Sequence, residues 1–475
     1  MKIRNLKAKI IATIGPATES QEMIEKLIEK GMDVARINFS HSNHEKHKSL
    51  IEKIRKTSKK VGKEIAILQD LQGPKIRIGT VENDAVDLKD GEQITITTKD
   101  LANGSSKIVS TNHKSLPNEV KPGMTILLDD GYIILEAEKV TETDVVCRIK
   151  KGGLLKSKKG IVVPGSKSQA PSITEKDIED LKFGLKNGVD LVALSFVRSE
   201  KDIIELRAMM KIIGKILPVI AKIERAEALE KIENIIKEAD GIMVARGDLG
   251  LELEAEKVPI VQKEIIRKCR YYGKPVIIAT QMLESMISNP RPTRAEASDV
   301  ANAVLDGADA LMLSAETSVG NYPVQAVDYM HRIIFEAERD EFSQAFQKKD
   351  LVFHSTEIYD AIANASAQLA EQIKAKGIIA LTENGFTAIN IAKYRPTIPI
   401  FALTENIETI RKLSFVWGVE SFHFQKGENR SKLEDIIDFI SKNKIGNNGD
   451  RFVVATCRPG ASPRNENSVR IIELK

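Results

Sequence analysis

The chain has 475 residues, enough for about three domains at the usual size of roughly 150 residues each. Hydrophobic residues make up 42% and charged residues 29%, a balance able to bury a large core. Lysine and arginine number 71 against 67 aspartates and glutamates; a formal charge of +4 is too small to argue for a nucleic-acid partner. No run reaches the roughly 20 apolar residues of a membrane span, so no membrane partner is expected. The basic start MKIRNLKAKIIATIGP lacks an unbroken apolar core and a small-residue cleavage site, so no signal peptide is read. Cys147, Cys269 and Cys457 lie far apart and read as reduced, mostly buried thiols of a cytoplasmic protein.

The first strand is expected at Lys9 to Gly15, followed by a helix that Ser20 caps and Gly31 ends. VARINFSH, a helix through Ile54 and the buried run EIAILQD ending at Asp70 continue the alternation. From about Gly73 to Pro171 the texture changes to short pieces of period near two, with Asp90-Gly91 and Asp130-Gly131 as hairpin-type dipeptides. This reads as an inserted β domain, closed by the turn residues of PGSKSQAP. Alternation resumes at Ser172 with the runs DLVALSFV, LPVIAKIE, GIMVARGD, KPVIIATQML and DALMLSAETS, each followed by a helical pattern, the last from Pro323 to about Arg339. Eight parallel-strand candidates, each with its helix, argue for a closed (β/α)8 barrel over an open sheet. After the linker EFSQAFQKKDLVFHS a further α/β unit follows, ending in SVRIIEL as an edge strand. The expected units are residues 1–73 with 171–340, residues 74–170, and residues 355–475.

Polar residues gather where the apolar runs end: Asn38 and Ser40, Asp70, Ser195, Lys222 and Glu224, Asp248, Thr280 and Gln281, Ser314 and Glu316. In such a barrel that edge is where ligands bind, so an enzyme is expected. Glu224 and Asp248, hard oxygen donors on adjacent strands, suit a magnesium ion that takes the rest of its shell from water and substrate; alternatively they pair with Arg246 or Lys222. Lys222 either neutralises developing negative charge or moves a proton, or is a salt-bridge lysine. Arg36 and Arg77 suit bidentate grip of a phosphate or carboxylate, against plain surface pairing. His41, His44 and His47 read as a solvated helix start rather than a metal site. Thr382, Asn384, Gly385 and Thr387, between a strand and a helix, form either a weak anion site or an ordinary capped turn.

VARINFSH, LQDLQGPKIRIG, IAKIE, GIMVARGDLG, ATQMLESM and NPRPTRAEASDVANAVLDGADALMLSAETSVGNYP resemble the pyruvate kinase family along nearly the whole chain. The resemblance implies a (β/α)8 TIM barrel with an inserted small β-barrel lid and a C-terminal α/β domain for regulation and oligomerisation. It implies phosphoryl transfer from phosphoenolpyruvate to ADP, giving pyruvate and ATP, in a homotetramer. By it, Glu224 and Asp248 hold magnesium, with manganese an alternative ion. Lys222 stabilises the phosphoryl group in flight and Arg36 clamps it. Gly247, Asp248 and Thr280 hold the enolpyruvate part, with Thr280 relaying the last proton. Arg77, Lys176 and the loop of Asn38, Phe39, Ser40 and His41 meet the nucleotide.

Two departures from the family pattern stand out. Potassium-binding members use an asparagine, a serine, an aspartate and a following threonine, with a glutamate after the Gly-Pro pair. Here Asn38, Ser40 and Asp70 match, but Leu71 and Lys75 replace the threonine and the glutamate, so the chain is expected to work without potassium, with the Lys75 ammonium as the internal charge. The Thr382 to Thr387 loop matches the family's allosteric phosphate site but lacks basic residues, and RPGASPRNEN departs from a Gly-Thr-Thr-Asn pattern; little response to fructose 1,6-bisphosphate is expected. The rival readings are a magnesium-dependent barrel lyase or mutase acting on an enolate, which needs no ADP, and a catalytically silent scaffold.

Overall fold

The computed structural model describes residues 6–166, 171–339, 356–425, 432–457 and 467–475. Part of PGSKSQAP, all of the EFSQAFQKKDLVFHS linker and all but the last residue of RPGASPRNEN lie outside the described residues.

Eight parallel strands close into a barrel in chain order: Lys9–Thr13, Met32–Asn38, Ala66–Asp70, Leu191–Leu194, Val219–Ile223, Gly241–Ala245, Val276–Ala279 and Ala310–Leu313, the last pairing with the first. Strand residues alternate between two faces. One set, including Ile11, Val34, Leu68, Ala193, Ile220, Met243, Ile277 and Met312, fills the interior, while the other packs under the helices. The first helix, Gln21–Lys30, starts as expected: Ser20 accepts from the Met23 N–H, and Gly31 follows at φ 120°. The second, His44–Val61, runs past the expected end at Ile54, because the next residue suited to a left-handed stop is Gly62 at φ 72°. ALEKIENIIKEA is not one helix but two, Glu227–Glu230 and Ile232–Glu238, broken at Lys231. The helix Pro323–Arg339 matches its expected span.

The inserted unit has its own core around Ile94, Ile126, Leu135 and Val145. It is a six-stranded sheet forming a half-barrel, with a separate two-stranded ribbon of Ala85–Leu88 and Gly153–Lys156. Asp130-Gly131 turns a true hairpin between Thr125–Leu128 and Ile133–Val140. Asp90-Gly91 does not: its flanking strands belong to different sheets and pair with Gly153–Lys156 and Asp144–Lys151. Gly73, at φ 67°, turns the chain out of the barrel where an added Cβ would stand 2.9 Å from that of Ser195.

The C-terminal unit is a five-stranded sheet in the order Val419–His423, Ile400–Thr404, Gly377–Leu381, Arg451–Thr456, Ser468–Glu473, the last an antiparallel edge as expected. After the second strand of this unit in chain order come a short helix, Ile407–Lys412, and a tight turn, Leu413–Phe415. That turn delivers Phe415 into the barrel's interior cluster and Trp417 into the layer around it.

Candidate active site

Alternation along the strands builds the site. Ile11, Val34, Leu68, Ala193 and Ile220 point into the apolar filling. Two residues further along the same strands, or just beyond them, stand Thr13, Arg36, Asp70, Ser195 and Lys222, so a polar layer caps the filling. Lys222 Nζ lies 2.9 Å from Glu224 Oε1 and 3.2 Å from Asp70 Oδ1, and donates to Ser195 Oγ at 2.7 Å. Arg36 donates from Nε to Asp70 Oδ2 at 2.7 Å and from Nη1 to Thr13 Oγ1 at 2.9 Å. Ser195 passes its own proton to the Leu71 carbonyl at 2.7 Å.

Burial raises the cost of every charge in this layer, and the neighbours decide the outcome. Burial would push the Asp70 carboxyl up, but Lys222 and Arg36 outweigh it and hold it below the usual range. Burial would push Lys222 down, but Asp70 and Glu224 hold its ammonium above the usual lysine range. Glu224 is raised: burial comes first and the nearby Asp248 charge adds to it, against Lys222. The pairing alternative is therefore half right. Glu224 does pair with Lys222, but Arg246 does not reach either acid; it binds Asp299 at 2.7 Å and the Thr280 carbonyl at 2.9 Å.

Asp248 sits inside a short helix, Arg246–Glu252, that begins directly where the sixth strand ends; the sequence reading had only the strand. Among the described residues it makes no ion pair, and it faces a cleft of about 1130 Å³ lined also by Lys75, Asp130, Gly247, Thr280 and Glu316. The Gly247 N–H donates to Thr280 Oγ1 at 2.8 Å, joining the two groups expected to hold the same ligand. Thr280 and Gln281 have φ of 69° and 53°, and Phe196 has 55°, a left-handed region that side chains rarely adopt. At Phe196 this aims the N–H at Glu224 Oε2, 2.7 Å away. No motif announces that donor, because the strained backbone is imposed by the surrounding fold.

The remaining residues lie around the second strand's exit. Burial, then the charges of Arg77, Arg36 and Lys75, push the His41 imidazole down. Arg77 donates to the Lys158 carbonyl at 2.9 Å. Lys176 is half exposed and donates to the Phe39 carbonyl at 2.7 Å and to Asp180 at 2.5 Å. Asn38 accepts from the Ser40 N–H at 3.0 Å. The solvated reading holds for His41, which is exposed, and fails for the other two: His47 is buried against Phe39, with ring centroids 4.1 Å apart, and His44 stacks on Phe183 while binding Asp180 at 2.7 Å. Among the described residues no group of three or more His, Cys, Asp or Glu is placed to hold a metal; Glu224 and Asp248 form a pair only.

In the C-terminal unit, Thr382 Oγ1 accepts from the Gly385 N–H at 2.9 Å and Asn384 from the Phe386 N–H at 3.1 Å. Thr387 is buried and bridges the carbonyls of Leu381 and Cys457, each at 3.0 Å. The Gly385 and Phe386 N–H groups and the Thr387 hydroxyl are thus engaged inside the unit.

Residues 5–327 match the family described as "Pyruvate kinase, barrel domain", and residues 360–472 "Pyruvate kinase, alpha/beta domain". The chain belongs to the pyruvate kinase family. It is 44% identical to the pyruvate kinase of Thermotoga maritima over 468 residues, covering 98% of this chain and 99% of that one. With the pyruvate kinase of Geobacillus stearothermophilus it shares 43% over 474 residues, 98% of this chain and 80% of the other. The crystal structure of a pyruvate kinase from Cryptosporidium parvum superposes with a TM-score of 0.91 at 36% identity, covering 99% and 97% of the two chains. This pyruvate kinase is a glycolytic phosphotransferase: phosphoenolpyruvate gives its phosphoryl group to ADP, forming pyruvate and ATP. The lyase, mutase and scaffold readings give way to it, and a divalent metal ion belongs to the family's chemistry.

Proposed function

We propose that Glu224 and Asp248 would hold the divalent ion, magnesium with manganese an alternative, at the phosphoenolpyruvate site. The observation that carries this reading is the unpaired Asp248 beside a buried Glu224, two like charges whose mutual repulsion a dication relieves. When bound, the ion would neutralise negative charge on the substrate. Lys222 meets the charge on the phosphoryl group as its bond to the enol oxygen breaks and its bond to the terminal phosphate oxygen of ADP forms. Arg36 grips the same group with the guanidinium edge that Asp70 and Thr13 leave open. Such a transition state asks for position and charge, and a buried, fully ionised lysine provides both.

Thr280 Oγ1 and the Gly247 N–H, already joined, hold the enolpyruvate, and the Thr280 hydroxyl hands a proton to its methylene carbon. Arg77, Lys176 and residues Asn38 to His41 hold the nucleotide phosphates, in keeping with the positive charges that lower the His41 pKa. In this reading the units are residues 1–73 with 171–340, 74–170 and 355–475, in keeping with the inserted unit's own apolar cluster. The enzyme is cytoplasmic and homotetrameric, needs no potassium, and responds weakly or not at all to a phosphorylated effector.

The test is pyruvate formation in potassium-free buffer with magnesium, wild type against Lys222→Met. A fall in kcat of at least about 100-fold is expected, the scale of losing one preorganised charge partner. Unchanged kcat in the variant removes Lys222 from the chemistry.

A further inference from the structure

We propose that Arg225 and Glu252 are positioning residues that grip the returning arm of the inserted unit, Val163 to Ser166, and so tie the lid to the metal carboxylates. This rests on the assignment of Glu224 and Asp248 as the metal pair and extends it to the residues beside them.

Each half of the grip is a near neighbour of one of those acids. Arg225 follows Glu224 directly; its Nη2 donates to the Ser166 carbonyl at 3.1 Å and lies 3.7 Å from Glu252 Oε1. Glu252 closes the same short helix that carries Asp248, and its carboxylate, 5% exposed, is the one that faces Arg225. Gly165 turns the arm at φ 74°, with nothing within 4 Å of an added Cβ, so the turn is glycine's by backbone conformation alone. The helix touches the lid a second time. An added Cβ on Gly131, at the hairpin tip, would stand 3.2 Å from Leu251 Cδ2. Arg225, Glu252, Ser166 and Lys75 line one narrow cavity of about 40 Å³, together with Glu224 and Asp248.

A seven-residue helix therefore carries a metal carboxylate, a contact to the lid's tip and, through Arg225, a contact to the lid's arm. A helical turn moves as a unit, so a shift that brings Asp248 onto an ion also moves Leu251 and Glu252. The chemical benefit is the exclusion of water while the phosphoryl group is between partners, since water there would take the phosphoryl group and waste it.

The experiment compares full-length wild type with Arg225→Met, Arg225→Lys and Glu252→Gln by two readouts: hydrogen exchange of the amides of residues 163–166, and the ratio of pyruvate to ATP formed. In Arg225→Met and Glu252→Gln, exchange of the arm is expected to rise about tenfold with the barrel strands unchanged, and pyruvate to exceed ATP. Arg225→Lys should fall between them and wild type. Unchanged arm exchange with a one-to-one product ratio overturns the proposal, even if kcat drops, because that pattern is electrostatic or structural. Failure of the metal assignment shows separately, as unaltered divalent-ion affinity in Asp248→Asn, and the arm-exchange comparison stands without it.

Discussion

Arg36 on the second strand and Asp70 on the third are joined at 2.7 Å, and Lys222 takes the other Asp70 oxygen at 3.2 Å. The aspartate on which a monovalent-cation site would depend already has two cationic partners in the protein.

Potassium is therefore expected to leave the rate unchanged. Lys75, which lines the cleft beside Asp248 and has no ion-pair partner among the described residues, is the proposed source of the local positive charge. Lys75→Glu should lose at least about tenfold in kcat in potassium-free buffer, an effect of about 1.4 kcal/mol on the barrier, and regain part of it when potassium is added. Initial rates across a potassium titration decide this, and a wild type that is silent without potassium refutes it.

Changing Thr387 is expected to harm stability and leave regulation alone. Its hydroxyl bridges the Leu381 and Cys457 carbonyls inside the C-terminal core. Thr387→Ala removes the one proton those carbonyls share and the acceptor of the Cys457 N–H at 3.2 Å, a loss of about 1–3 kcal/mol. Chemical denaturation measures that loss, while rates with and without fructose 1,6-bisphosphate should coincide in wild type and variant.

His47 should make stability depend on pH. Its pKa is lowered, by burial first, with His44 and Lys176 adding and Asp180 opposing. Below about pH 6.5 the unfolded chain takes up a proton that the folded chain refuses. The stability this residue permits is thus complete above that pH and declines as pH falls toward the folded value. His47→Gln should show a smaller drop in Tm than wild type between about pH 7.5 and about pH 5.

Phe415 joins the C-terminal unit to the barrel, its ring 1% exposed among Ile220, Met243 and Ile277. Phe415→Ala opens a cavity there and is expected to cost about 3–5 kcal/mol. Trp417, the chain's one tryptophan, is 2% exposed at the same junction, with its N–H backbone donor on Asp309 at 3.2 Å. Its emission should shift to the red in the variant before the barrel unfolds; a coincident loss of both signals would show the two units to be one cooperative block.

The sequence by itself determined the eight apolar runs, their helices and the charges at their outgoing ends, because strand alternation and the ends of buried segments are local properties of the chain. Lys222, Glu224 and Asp248 were legible for that reason: each ionisable group follows a run that has to be buried. Tertiary structure alone decided what those groups meet. The partners of Asp70 come from strands 34 and 152 residues away in the chain, counting from Arg36 and to Lys222. The burial of His47 depends on Phe39 curling back over its helix, and the seating of Phe415 on a barrel that closes more than 100 residues earlier. The left-handed backbone at Phe196 and Thr280 leaves no trace in residue type, since both are held there by the packed rim around them. The sequence left the Thr387 hydroxyl open between a ligand and a turn, and the fold sets two carbonyls against it. Composition and spacing name the groups a site can use, and only long-range contacts settle which of them are already taken.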